Sequence, residues 1–112
     1  MKVGVIGSGS IGPDLAYGFL TAVARRGGSV VLHDVRAEAL AAGRARLEKY
    51  MEKALARGKL SAKEAGVMRD RLETSLEIGR LADCDYVLEA ASENLKVKRT
   101  ILESLETVVR PD

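Results

Sequence analysis

One turn near the head of the chain constrains its fold more than anything else in the sequence. Val3-Gly4-Val5-Ile6 is a short β-forming run that leads directly into Gly7-Ser8-Gly9-Ser10-Ile11-Gly12, and an apolar-periodic helical stretch follows. A G-x-G-x-x-G turn between a strand and a helix is the context a dinucleotide fingerprint requires. Gly7 can make the tight turn at the strand end. Gly9 has no Cβ, so a pyrophosphate can reach the backbone, and Gly12 lets the helix pack close to the strand. The backbone N–H groups of the first helical turn, Ser10 and Ile11 among them, then face the anion with the helix dipole behind them. The glycine spacing alone also fits a βα turn with no ligand. Asp34 adds to it, because it ends the next apolar run roughly twenty residues beyond Gly12, the spacing of a ribose-binding acid. Arg36 could contact a 2′-phosphate, but the Asp34 carboxylate would repel that group, so NAD rather than NADP is the expected cofactor.

The rest of the composition narrows the field. A chain of 112 residues with 46% apolar content is one modest domain with enough material for a core. A net charge of +2, three Tyr and one Phe give little to hold nucleic acid. The single Cys84 excludes an internal disulfide and a cysteine metal cluster, and no metal site is expected. No run reaches membrane-spanning length and the N-terminus has no signal-peptide pattern, so a cytoplasmic protein without a membrane partner is expected.

The chain then reads as alternating strands and helices. A strand over about Lys2–Ile6 precedes a helix from Ser10–Pro13 to Arg26, with Ile11, Leu15, Phe19 and Val23 as its stripe and Ala16 and Leu20 beside them. Pro13 points to a late start or a distorted first turn, and Gly27-Gly28 closes the helix. Ser29–Val35 holds the second strand. His33, the only histidine, reads as a strand-end residue beside the acid, with no partner to make it catalytic. A long helix follows from Arg36 to about Arg57, burying Leu40, Leu47, Met51 and Ala54 or Leu55. Its charged remainder reads as a solvated face, or else as a basic surface for an anionic substrate. Ser61-x-x-Glu64 is a capping box opening a helix to about Arg71. Leu72–Leu76 is a short third strand, Glu77–Ala82 a helical turn or two, and Tyr86–Ala90 the fourth strand, with Cys84 a small hydrophobe before it. Glu89 and Glu93 stand where that strand ends, which places Glu93 near the cofactor and leaves Glu89 as either a site residue or a hydrogen-bonded strand-end acid. A last helix spans about Leu95–Val109.

This order predicts an α/β fold: the first portion of a Rossmann-type, doubly wound parallel sheet, strand order 3-2-1-4, with a long helical insertion after strand two. A further strand is expected after Pro111-Asp112, so residues 1–112 read as an NAD-binding domain cut short. An unpaired fourth strand would leave an open edge, from which a homo-oligomer is expected.

Val31-Leu32-His33-Asp34, the long helix, Gly58-Lys59-Leu60-Ser61 and Tyr86-Val87-Leu88-Glu89-Ala90-Ala91-Ser92-Glu93-Asn94-Leu95-Lys96-Val97-Lys98 join the glycine turn in a wider pattern. Across its whole length the chain resembles the NAD-binding domain of 3-hydroxyacyl-CoA dehydrogenases. The resemblance implies hydride transfer between NAD and the 3-hydroxyl of an acyl-CoA substrate. It also implies that Glu93 and Lys98 contact the cofactor and that Arg57, on the inserted helix, contacts CoA. Two features depart from the family pattern. Pro13-Asp14 replaces small residues after the third glycine, and Tyr50 replaces a small polar residue. The family's Ser, His–Glu pair and Asn, and its helical dimerisation domain, lie beyond Asp112, so no catalytic residue is assigned and the chain alone is expected to bind NAD weakly and catalyse nothing. The alternative is a stand-alone NAD-binding or sensing module, or a dehydrogenase of another 3-hydroxy acid. A reading frame continuing past Asp112 into a strand, a His and an Asn would separate the two.

Overall fold

The computed structural model describes residues 1–9 and 11–90. Four strands, β1 (Lys2–Ile6), β2 (Ser29–His33), β3 (Leu72–Ser75) and β4 (Tyr86–Glu89), form one sheet in the order β3-β2-β1-β4. All three pairings are parallel. Ile6 is in register with both His33 and Glu89, so three strands end level with one another. Three helices, α1 (Gly12–Val23), α2 (Ala37–Ala56) and α3 (Ala62–Asp70), make the crossovers, with 3₁₀ turns at Ala24–Arg26 and Ile78–Leu81. The expected final helix over 95–109 lies outside the described residues.

The strands sort their side chains by parity. Val3, Val5, Val30, Leu32, Leu72 and Leu88 join α1, α2 and α3 in the larger core. Val31 and Val87 point to the other face and meet Leu81 and Cys84. Gly4 belongs to this second face, where a Cβ would come within 2.6 Å of the Leu81 side chain. Burial pushes the Cys84 thiol up to about 11, which suits an inert core position.

Helix α1 bears out part of the expected stripe: Val23 is buried together with the neighbouring Ala16 and Leu20, whereas Ile11, Leu15 and Phe19 are only partly buried against the core. The first turn presents small residues inward, because Gly12 sits against the glycine turn. Pro13 occupies the first turn, where its missing N–H costs no helical bond, so α1 starts at Gly12 rather than late. The α-helix ends at Val23 and tightens into the 3₁₀ turn before Gly27 closes it in a left-handed conformation, while β2 stops at His33.

The inserted pair α2–α3 is held on both sides. Leu47 and Met51 are fully buried against α1 and the sheet. Arg69 of α3 donates to both Glu48 carboxylate oxygens at 2.9 and 3.0 Å. The capping box is present: the Glu64 N–H donates to Ser61 Oγ and the Ser61 N–H to Glu64 Oε1, both at 3.0 Å. Leu47→Ala is expected to cost about 2–5 kcal/mol in urea unfolding. Lys49→Ala, on the exposed face of the same helix, should stay within about 0.5 kcal/mol.

Candidate functional site

The level ends of β1, β2 and β4 create the crevice at which open parallel sheets bind ligands. The chain leaves β1 through Gly7, whose φ of 103° is one that side-chain-bearing residues rarely adopt. The Gly7 N–H donates to the His33 carbonyl at 2.7 Å, which extends the β1–β2 ladder into the turn. A Cβ on Gly12 would stand 1.7 Å from the Gly7 carbonyl oxygen, so only glycine lets α1 rise this close to the turn. Gly9 is the opposite case: it is exposed, and among the described residues a Cβ there would meet no atom within 4 Å. Ile11 precedes α1 with no side-chain cap, leaving the helix N-terminus free of a protein-borne acceptor at that position.

Asp34 sits just past the end of β2, only 7% exposed. Its Oδ2 accepts from the Ser8 N–H at 2.8 Å, and its Oδ1 from the Arg36 N–H at 2.9 Å. The Arg36 guanidinium approaches Oδ1 at 3.5 Å. Burial pushes the Asp34 carboxyl up. The two backbone donors and Arg36 outweigh that effect and hold it below its ordinary value of 3.8. Asp34 is thus an ionised acceptor at the strand end, joined through Ser8 to the glycine turn.

Ser8 is the residue that motif spacing passes over. It is buried, and its Oγ donates to the Ala39 carbonyl at 2.8 Å, tying the turn to the start of α2. A variable position inside a glycine motif carries no periodic signal that would single it out. Gly43 was equally silent: a Cβ there would meet Ser8 Oγ at 2.1 Å and Pro13 Cγ at 3.2 Å, so α2 lies directly on the turn.

His33 is buried, with Nδ1 3.1 Å from the Ser75 carbonyl, on the β3 side of the crevice. Glu89 ends β4, half-buried. Arg57 caps α2 and lines an open cleft of about 350 Å³ with Lys53, Lys59, Tyr17 and Tyr50. Ser10, Glu93 and Lys98 lie outside the described residues. Among the described residues, no group of three acidic, His or Cys side chains could hold a metal ion, and no helix is long and apolar enough to cross a membrane.

Residues 2–112 match the family model for the 3-hydroxyacyl-CoA dehydrogenase, NAD binding domain. A probable 3-hydroxybutyryl-CoA dehydrogenase of Deinococcus radiodurans is 35% identical over the whole chain, which spans 38% of that protein. A 3-hydroxyadipyl-CoA dehydrogenase of Escherichia coli is 37% identical over 97% of the chain and 22% of its own length. Among solved structures, a 3-hydroxybutyryl-CoA dehydrogenase from Escherichia coli superposes with a TM-score of 0.80 and 36% identity, covering 99% of this chain and 23% of that one. The chain therefore spans well under half the length of the relatives it matches. With a parallel 3-2-1-4 sheet, a glycine turn joined to a strand-end acid and a match along nearly its whole length, the chain belongs to the NAD-binding domain family of the 3-hydroxyacyl-CoA dehydrogenases.

Proposed function

We propose that this chain is the cofactor-binding part of an NAD-dependent dehydrogenase that oxidises the 3-hydroxyl of an acyl-CoA to a ketone. The observation that carries the reading is the Ser8–Asp34 hydrogen bond, which joins the phosphate turn to the ribose acid beside the open backbone of Gly9. In this reading Gly9, Ser10 and Ile11 present backbone to the pyrophosphate, while Gly7 and Gly12 shape the turn. Asp34 accepts from the adenosine ribose hydroxyls, and Glu93 and Lys98 complete the cofactor site. Bound NAD supplies the hydride acceptor. Arg57, with Lys53 and Lys59 on the same cleft, offers positive charge to the phosphates of CoA.

The described residues contribute binding and orientation. The reaction also needs a base within hydrogen-bond reach of the substrate hydroxyl. His33 sits on the adenosine side, against Ser75, and takes no such role. Assembly into a homo-oligomer fits the position of β4 at the end of the described sheet, and the acyl-CoA chemistry fits a cytoplasmic metabolic enzyme.

Three measurements test the reading. In calorimetric titration, Asp34→Ala is expected to weaken NAD by roughly 1.5–3 kcal/mol, the range for hydrogen bonds to a charged group. The unsubstituted chain should prefer NAD to NADP, and equal affinity for the two would remove Asp34 from the ribose. Gly9→Val is expected to abolish dinucleotide binding with the circular dichroism spectrum unchanged, because the added side chain meets no described protein atom and stands where the pyrophosphate would approach. Finally, the 112-residue chain should show no turnover of acetoacetyl-CoA with NADH. Turnover that disappears on substituting His33 or Glu89 would place a complete active site within these residues.

A further inference from the structure

Asp14 and Tyr50, on two different helices, are in contact. Asp14 is in the first turn of α1, two residues beyond Gly12, and Tyr50 is on α2. The Tyr50 hydroxyl donates to Asp14 Oδ1. Arg46, one turn earlier on α2, brings Nη1 to 3.7 Å from the same oxygen. Tyr17, one turn further along α1, meets the Tyr50 ring edge-on with centroids 5.3 Å apart. A carboxylate in a helix's first turn favours the helix dipole, but it also competes with an anionic ligand for the same N-terminal potential.

We propose that Tyr50 is a positioning residue for dinucleotide affinity. Together with Arg46 it draws the Asp14 carboxylate toward α2 and offsets its charge, so that the N-terminus of α1 remains receptive to a pyrophosphate. This rests on the NAD reading of the turn. The geometry supports the division of labour. Tyr50 supplies direction, since its ring is oriented by Tyr17 and its hydroxyl reaches a single carboxylate oxygen. Arg46 supplies the opposite charge. The hydrogen bond to Asp14 shifts the Tyr50 phenol upward against a smaller downward pull from Arg46. The inserted helix thereby acts on the cofactor site through the protein's own acid.

The test is a thermodynamic cycle on the 112-residue chain, with NAD binding read by calorimetry at low and high salt. Tyr50→Phe keeps the ring against Tyr17 and removes the hydroxyl; Arg46→Gln removes the charge together with the guanidinium's contacts to Asp14 and Tyr50. The Tyr50→Phe/Arg46→Gln pair is expected to weaken NAD by about two- to fivefold at low salt. The loss should shrink in 0.5 M salt, as expected of a screened charge, and should vanish in an Asp14→Asn background. Asp14→Asn alone should bind NAD at least as tightly as the parent chain. An unchanged affinity in the pair would overturn the inference. So would a loss of equal size in the Asp14→Asn background, which would make Tyr50 and Arg46 merely structural. Failure of the parent chain to bind NAD at all would instead overturn the cofactor reading and this inference with it.

Discussion

The hydrogen bond from the Ser8 N–H to the Asp34 carboxylate is the interaction on which the site depends. It joins two segments far apart in sequence at the point where β1 and β2 both end. Its cost is the burial of a charge; its compensation is two backbone donors and a nearby guanidinium, which leave the acid ionised. A carboxylate fixed this way is an ionised acceptor held in one orientation at the strand end. The same bond holds the turn in the shape that leaves Gly9 open.

Packing around the turn follows from that constraint. Gly7 takes a backbone angle other residues avoid, Gly12 lets α1 stand against the Gly7 carbonyl, and Gly43 lets α2 lie on Ser8 and Pro13. Small residues face inward at the top of α1, and the bulk needed for the core comes lower down, from Leu20 and Val23, and from Leu47 and Met51 across on α2. The helical insertion is thus built into the main core, and its motion relative to the glycine turn would be felt at the cofactor crevice.

Much of this was legible from residue order. The continuous apolar runs at Val30–Leu32 and Tyr86–Leu88 marked parallel strands, because strands covered on both faces need no alternation. The capping box set the start of α3, because Ser61 and Glu64 satisfy backbone donors three residues away. The 3-2-1-4 order matched because the crossover rule leaves few alternatives, while β2, β3 and β4 each stop one or two residues short of the expected end. The inward face of α1 is rotated from the Ile11–Leu15–Phe19 row toward Ala16 and Leu20, because the helix must bring Gly12 against the glycine turn. Ser8, Gly43 and the Asp14–Tyr50 contact carried no local signal, for each depends on a partner on another element.

The sequence by itself determined the fold class, the glycine turn and the strand-end acid, since these rest on spacing within one βαβ unit. Only the tertiary structure decided how the turn is held, which of its glycines is exposed and which stands against protein atoms, and where the acid at Asp14 is directed. The physical reason is range. Backbone preference and hydrophobic period act over a few residues, whereas burial of Asp34, the close approach at Gly12 and the pairing of Asp14 with Tyr50 exist only once separate elements share one space.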